Sequence, residues 1–280
     1  MEYRTPHRIL QGVPASDGAG VKLTRIIGSP MLEQIDPFLL LDEFKSENRD
    51  DYIAGFPPHP HRGFETITYM KQGSFKHQDS VGYEGLLGPG SVQWMTAGRG
   101  IIHSEMPAMQ DGLLWGFQLW LNLPARLKMI PPHYQDIQAE SIPRLENDDY
   151  AIVLIAGEFN GTRGAGKSHF PLTYFDVTIK PGGSVEIPSS PNDTACAYVY
   201  TGNVAFGSSQ SEQPVPAQRF TVLHPGECVR AASDQGGGFL LISAAPINEP
   251  IARYGPFVMN TVEELEQAFH DYQNGVLHVI

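Results

Sequence analysis

Residues 56–66 read Phe56-Pro57-Pro58-His59-Pro60-His61-Arg62-Gly63-Phe64-Glu65-Thr66. From Phe64 to Met70 the residues are β-branched or aromatic, and Lys71-Gln72-Gly73 then turns the chain, so the segment reads as a strand entered through His-Pro-His. His59 and His61 stand at i and i+2, a spacing that on extended backbone puts two side chains on one face, about 6–7 Å apart. A second pair in the same register follows in Gly98-Arg99-Gly100-Ile101-Ile102-His103-Ser104-Glu105, where His103 and Glu105 share a face. A lone His-Pro-His reads as readily as a surface loop. Two pairs on separate strands, with the small residues Thr96–Gly100 allowing close backbone approach, favour a single metal site. Three neutral imidazoles and one carboxylate suit a first-row divalent ion with positions left for water or substrate, whereas structural zinc favours a closed, cysteine-rich set.

Working outward, the same style of element recurs. Val21–Ile27, Phe38–Phe44, Ser74–His77, Ser91–Met95 and Leu113–Leu121 read as strands, and so do Ala151–Ala156, Leu172–Ile179, Ser184–Ile187 and Ala195–Tyr200, the last followed by a turn at Thr201-Gly202-Asn203. Residues 131–147, with Pro131, Pro132 and Pro143, read as a linker. It separates a metal-binding domain at 1–135 from a second domain at 145–280. The one helix the pattern predicts spans about 261–274: Thr261-Val262-Glu263-Glu264 is a capping box, Leu265, Ala268, Phe269 and Tyr272 fall on one face, and Asn274-Gly275 ends it. Strands spaced by Gly/Pro turns, with helix only at the end, mean an all-β protein of two domains, each a sandwich or a barrel.

The totals restrict function. A chain of 280 residues with 41% hydrophobic and 18% charged content is globular, and its 29 glycines and 23 prolines suit many short strands. A net charge of −12 argues against nucleic-acid binding through phosphates. Two cysteines make no disulfide framework, and neither a signal-peptide h-region nor a membrane-length apolar run is present, so the expected location is the cytoplasm.

Asp36–Phe44, His59–Thr66, Gln93–Pro107 and Gln118–Pro124 together resemble the pirin family, and Gly255–Thr261 is similar to its C-terminal signature. The likeness runs through nearly the whole chain. It implies a bicupin of two β-barrels face to face, with Fe2+ in the first only (Mn, Ni, Cu or Zn being the alternatives) on His59, His61, His103 and Glu105. It also implies two functional classes. One is quercetin 2,3-dioxygenase-type oxidation of a flavonol or related aromatic diol, with Glu105 taking a substrate proton. The other is a metal-dependent regulatory protein acting on a transcription factor or metabolic enzyme. The expected partner is accordingly a small aromatic substrate or a protein.

Several residues compete for roles. Glu65 fits the general cupin pattern of His-x-His followed by Glu, but it would lie about 13 Å from His61 along an extended strand; Glu105 is the expected fourth ligand. Phe64, Trp94, Met95 and Gln118 are candidates for the pocket or its support, each equally readable as core. His169 and His224 have no ligand partner at i±2, so no second metal is expected. Gly161–Ser168 matches the phosphate-binding G-x-x-x-x-G-K-[ST] pattern, but His169-Phe170-Pro171-Leu172 follows where that motif requires a helix, so no nucleotide site is expected. Ser104 beside His103 would point to the opposite face of a strand, which weakens a nucleophile pairing.

Overall fold

The structure is a computed structural model that describes residues 2–80 and 82–277. It divides into two compact units, one formed by Val13–Ala139 with Ile247–Ile280 and the other by Met1–Gly12 with Glu140–Pro246. The first strand, β1 (Pro6–Gln11), belongs to the second of these.

The unit carrying the histidines contains β2 (Val13–Asp17), β3 (Val21–Ile27), β4 (Phe38–Ser46), β5 (Phe56–His61), β6 (Phe64–Gln72), β7 (Phe75–Asp79), β8 (Glu84–Leu87), β9 (Val92–Thr96), β10 (Ile101–Pro107), β11 (Leu114–Asn122) and β12 (His133–Ile137). They form a seven-stranded sheet in the order β12-β9-β6-β11-β4-β3-β2 and a four-stranded sheet in the order β5-β10-β7-β8. In β4, Phe38 to Phe44 are all buried, the pattern of a strand covered on both faces. Phe44, Met70, Phe75, Val21 and Leu114 make one apolar cluster, and Leu39, Leu40, Phe64, Trp120 and Val258 another.

The second unit contains β13 (Arg144–Glu146), β14 (Tyr150–Ala156), β15 (Glu158–Phe159), β16 (Thr162–Arg163), β17 (Leu172–Ile179), β18 (Gly183–Pro188), β19 (Thr194–Phe206), β20 (Gln213–Pro216), β21 (Arg219–Leu223), β22 (Cys228–Ser233) and β23 (Gly237–Ala244). Both units are cupin barrels. The chain then returns to the first unit through β24 (Ala252–Tyr254), β25 (Phe257–Met259) and α1 (Val262–Gln273).

Three expectations are corrected here. A single cut in 131–147 does not divide the chain, although a boundary does fall at 139/140. β1 satisfies its backbone groups against β21 of the second barrel, and α1 packs Leu265 and Ala268 on Phe257, Met259 and Leu277 of the first unit. The expected turn at 201–203 is a bend within one long strand. β19 shifts register between Val199 and Thr201, pairing β21 and β23 before the bend and β20 and β22 after it. Finally, the helix keeps its predicted capping box, Thr261 with Glu264, but the buried face holds Leu265, Ala268 and Asp271, while Tyr272 is 39% exposed. Asp271 is buried because it meets a cation: its Oδ2 accepts from Arg62 Nη1 at 2.8 Å.

After Ser168 comes the strand β17, so no helix N-terminus stands behind Gly161–Ser168. Cys196 and Cys228 are buried free thiols. No helix among the described residues is long and apolar enough to cross a membrane.

Candidate metal centre

β5 and β10 are antiparallel neighbours, and their register puts His103 directly opposite His59 and Ile101 opposite His61. The i, i+2 spacing within β5 and this cross-strand pairing converge three imidazoles. Ring centroids are 4.7 Å apart for His59–His61, 4.4 Å for His59–His103 and 5.0 Å for His61–His103. One ligand nitrogen from each lies within 4.8 Å of the other two.

The loop behind His61 is built for close approach. Gly63 sits at φ +90, and a Cβ there would lie 2.0 Å from Val258 O. Gly63 N–H donates to Gly98 O at 2.8 Å, and a Cβ on Gly98 would meet Ile130 O at 2.1 Å. Buried Lys128 ties the same loop down, donating to Gly63 O at 2.7 Å, Asn122 Oδ1 at 2.6 Å and Val258 O at 3.0 Å. Burial brings its pKa down to about 7, while three acceptors match the three donors of the ammonium.

The hydrogen bonds of the three histidines leave their outer nitrogens for a metal. A carbonyl can only accept, so His59 Nδ1–H donates to Pro57 O at 2.8 Å and His61 Nδ1–H to Pro256 O at 3.4 Å. His103 Nδ1 lies 3.4 Å from His77 Nδ1. His103 Nε2 is buried with no hydrogen-bond partner. Burial, and then the neighbouring imidazoles, hold His61 and His103 well below the ordinary histidine range, in the neutral form that coordinates. Three imidazoles with one nitrogen fixed by a backbone carbonyl or another ring, and the other free, fit a divalent metal.

Glu105 is 3% exposed and lies outside the three-nitrogen cluster. Its Oε1 accepts from Thr68 Oγ1 at 3.0 Å and its Oε2 from Gln118 Nε2 at 3.0 Å. Thr68 and Gln118 are partners on β6 and β11, so Glu105 joins the four-stranded sheet to the seven-stranded one across the barrel interior. Glu65, one residue out of phase with Thr66 and Thr68, accepts from Thr96 Oγ1 at 2.7 Å and is fully buried.

A cavity of about 650 Å³ opens onto the histidines, lined among others by Phe56, His59, His61, Gln118, Trp120 and Arg253. Of the residues expected around the pocket, Gln118 lines it. Phe64 stands behind, its ring 5.1 Å from His61 and 4.5 Å from Trp120. Trp94 and Met95 are fully buried in the barrel wall on β9, away from the cavity, because every residue of that strand is covered on both faces. Ser104 faces away from the site, its hydroxyl donating to Gln78 O at 3.5 Å.

Sequence reasoning missed His77, Thr68, Trp120 and Arg253. His77 stands at i−2 from Asp79, a ligand-like spacing that carried a signal. Burial lowers its pKa against the pull of Glu105, Asp136 and Asp79. Thr68 and Trp120 alternate within strands and look like any strand residue. Arg253 reaches the cavity only through the returning C-terminal segment.

Two cupin barrels, with a metal-fit histidine cluster in the first, define a bicupin. Its first barrel matches the Pirin family model over residues 20–121 and its C-terminal part the Pirin C-terminal cupin domain over 174–278. The chain belongs to the pirin family. It is 46% identical, over 99% of both chains, to a Pseudomonas aeruginosa protein provisionally named a quercetin 2,3-dioxygenase. It is 40% identical to human pirin over 92% of this chain and 89% of that one. A crystal structure named quercetin 2,3-dioxygenase from Acinetobacter baumannii superposes with a TM-score of 0.89 at 32% identity, covering 98% of each chain.

Proposed function

We propose that this protein catalyses quercetin 2,3-dioxygenase-type oxidation of a flavonol or related aromatic diol, with iron(II) held by His59, His61 and His103 and with Glu105 beside them as the proton acceptor. The observation that carries this reading is the cavity of about 650 Å³ lined by His59 and His61 together with the aromatic rings of Phe56 and Trp120, a volume suited to a small aromatic ligand. The names of relatives with nearly full coverage support the same chemistry. When bound, the iron supplies Lewis acidity toward vicinal oxygens and a junction for electrons between the diol and O2.

The chain's own residues do the remainder. Trp120 and Phe56 offer flat apolar faces to the rings and exclude water from the reacting end. Glu105 accepts the proton of the substrate hydroxyl. Gln118 and Thr68 hold its two oxygens beforehand, so the carboxylate is oriented before substrate arrives. Trp120 Nε1–H, donating to Gln118 Oε1 at 3.3 Å, fixes the amide that does this. The setting we assign is the cytoplasm, where free Cys196 and Cys228 fit a reducing compartment.

The test is oxygen uptake by iron-loaded protein given quercetin, followed on an oxygen electrode. Uptake with quercetin is the expected result. No uptake across a panel of flavonols and catechols would remove the enzymatic reading.

A further inference from the structure

We propose that Arg253 is an anion-recognising residue, and that the preferred ligand is an aromatic diol carrying a carboxylate at the end remote from the hydroxyls. This rests on reading the histidine cavity as the substrate site. Two arginines line that cavity, Arg25 and Arg253, and they differ in one respect. Arg25 is neutralised by the protein: its Nε and Nη2 meet the two oxygens of Asp42 at 3.0 and 2.8 Å, and Nη2 also reaches Asp17 at 2.7 Å. Arg253 has no ion-pair partner among the described residues. Its one hydrogen bond runs from Nη1 to Leu39 O at 2.9 Å, leaving most of five donors unused.

The position of that guanidinium matters as much as its charge. Arg253 Cζ lies 5.0 Å from the centre of the Trp120 ring, and the same ring stands 5.2 Å from His61. One indole therefore spans the distance from histidine cluster to guanidinium. A ligand laid on it, with vicinal oxygens at the histidines, reaches Arg253 with a group one aromatic ring and a short tail away. A half-buried guanidinium held by one backbone carbonyl and an indole face keeps donors free, and a carboxylate meeting it in a two-pronged bond would fill them. β24 and β25 hold the residue in register, with Arg253 opposite Val258. The same segment supplies Pro256 O to His61. Charge recognition and ligand positioning thus come from one stretch of chain.

The experiment uses metal-loaded protein under anaerobic conditions and titration calorimetry with three probes: 3-(3,4-dihydroxyphenyl)propanoate, its methyl ester and 4-ethylcatechol. Charged hydrogen bonds of this kind correspond to about tenfold to a hundredfold in affinity. The acid is expected to bind tighter than the ester by that factor. Arg253→Met, which keeps the bulk against Trp120, is expected to reduce the preference of acid over ester to within about twofold. Arg253→Lys is expected to restore part of it. Equal binding of acid and ester to the native protein overturns the proposal without any variant. So does a preference that survives in Arg253→Met, or no binding of the acid at millimolar concentration. Because binding is read without oxygen, an Arg253-dependent preference with no oxygen uptake in air would reject the dioxygenase reading alone. Uptake with equal kcat/KM for acid and ester would reject this proposal alone.

Discussion

In the second barrel the interior is closed by Ile152, Leu154, Phe175, Val177, Val185, Ile187, Val199, Phe206, Phe239 and Leu241, all essentially inaccessible to water. In the first barrel, apolar packing around Phe44, Met70 and Phe75 gives way to Thr68, Glu105, Gln118 and three histidines beside an open cavity. The same fold packs an apolar cluster at its centre in one case and sets polar side chains beside a cavity in the other. A barrel of the latter kind forfeits apolar burial and must satisfy each buried polar group separately. The first unit does so with carbonyl-bonded imidazoles and a doubly bonded carboxylate. It also carries a C-terminal segment that returns to bond the ligand loop, through Val258 N–H to Arg62 O at 3.0 Å and through the Arg62–Asp271 pair at 2.8 Å.

The largest expected effect separates the barrels outright. His61→Ala should reduce bound metal, measured by elemental analysis, from about one ion per chain to near zero and abolish oxygen uptake. His224→Ala in the second unit, where His224 pairs with His7 at 3.2 Å near the surface, should change neither. Equal metal loss in both variants would break the distinction.

Next in size is the filled core. Phe175→Ala should cost about 3–5 kcal/mol in urea unfolding, the usual range for a buried phenylalanine, with metal content per folded chain unchanged. A loss of metal there would mean that the second barrel supports the site after all.

Asp271→Asn tests the C-terminal segment. Removing one partner of a buried ion pair costs about 3 kcal/mol or more because the other charge stays buried. The pair also sets a pH dependence. Burial by itself would raise the Asp271 pKa, but Arg62 and Gln267 hold it below its ordinary 3.8. The carboxylate's contribution to stability is therefore complete above that value and is lost as pH falls below it. Acid unfolding monitored by circular dichroism should show this loss in the native protein, and Asp271→Asn should lack that component.

The smallest effect is expected at His77. If its ring fixes His103 through the 3.4 Å contact between their Nδ1 atoms, His77→Phe should weaken metal binding by about 10–100-fold, as for other groups that orient a ligand, with little change in thermal midpoint. Competition against a chelator measures it. An unchanged affinity would leave His77 as packing.

Local features were legible wherever the determining physics is local. Strand periodicity in Phe64–Gln72, the capping box at Thr261–Glu264 and the paired i, i+2 histidines depend on neighbours in the chain. The turn expected at Thr201–Asn203 failed because Gly202, at φ +70 with a Cβ position 2.3 Å from Gly236 O, lets a strand bend between sheets as readily as it ends one. Tyr272 was expected on the packed face and Asp271 was not placed there, because amphipathic periodicity counts apolar residues and cannot see a distant arginine.

The sequence by itself determined the all-β class in two domains, the C-terminal α-helix and the three imidazoles, since alternation and spacing are short-range properties that survive any arrangement of the remaining chain. The tertiary structure decided what surrounds those imidazoles. Glu105 bonds to Thr68 and Gln118, His103 rests on His77, and Arg253 arrives at the cavity from the far end of the sequence. Those contacts join residues tens to hundreds of positions apart, and only sheet register and the returning C-terminal segment bring such residues within hydrogen-bonding reach.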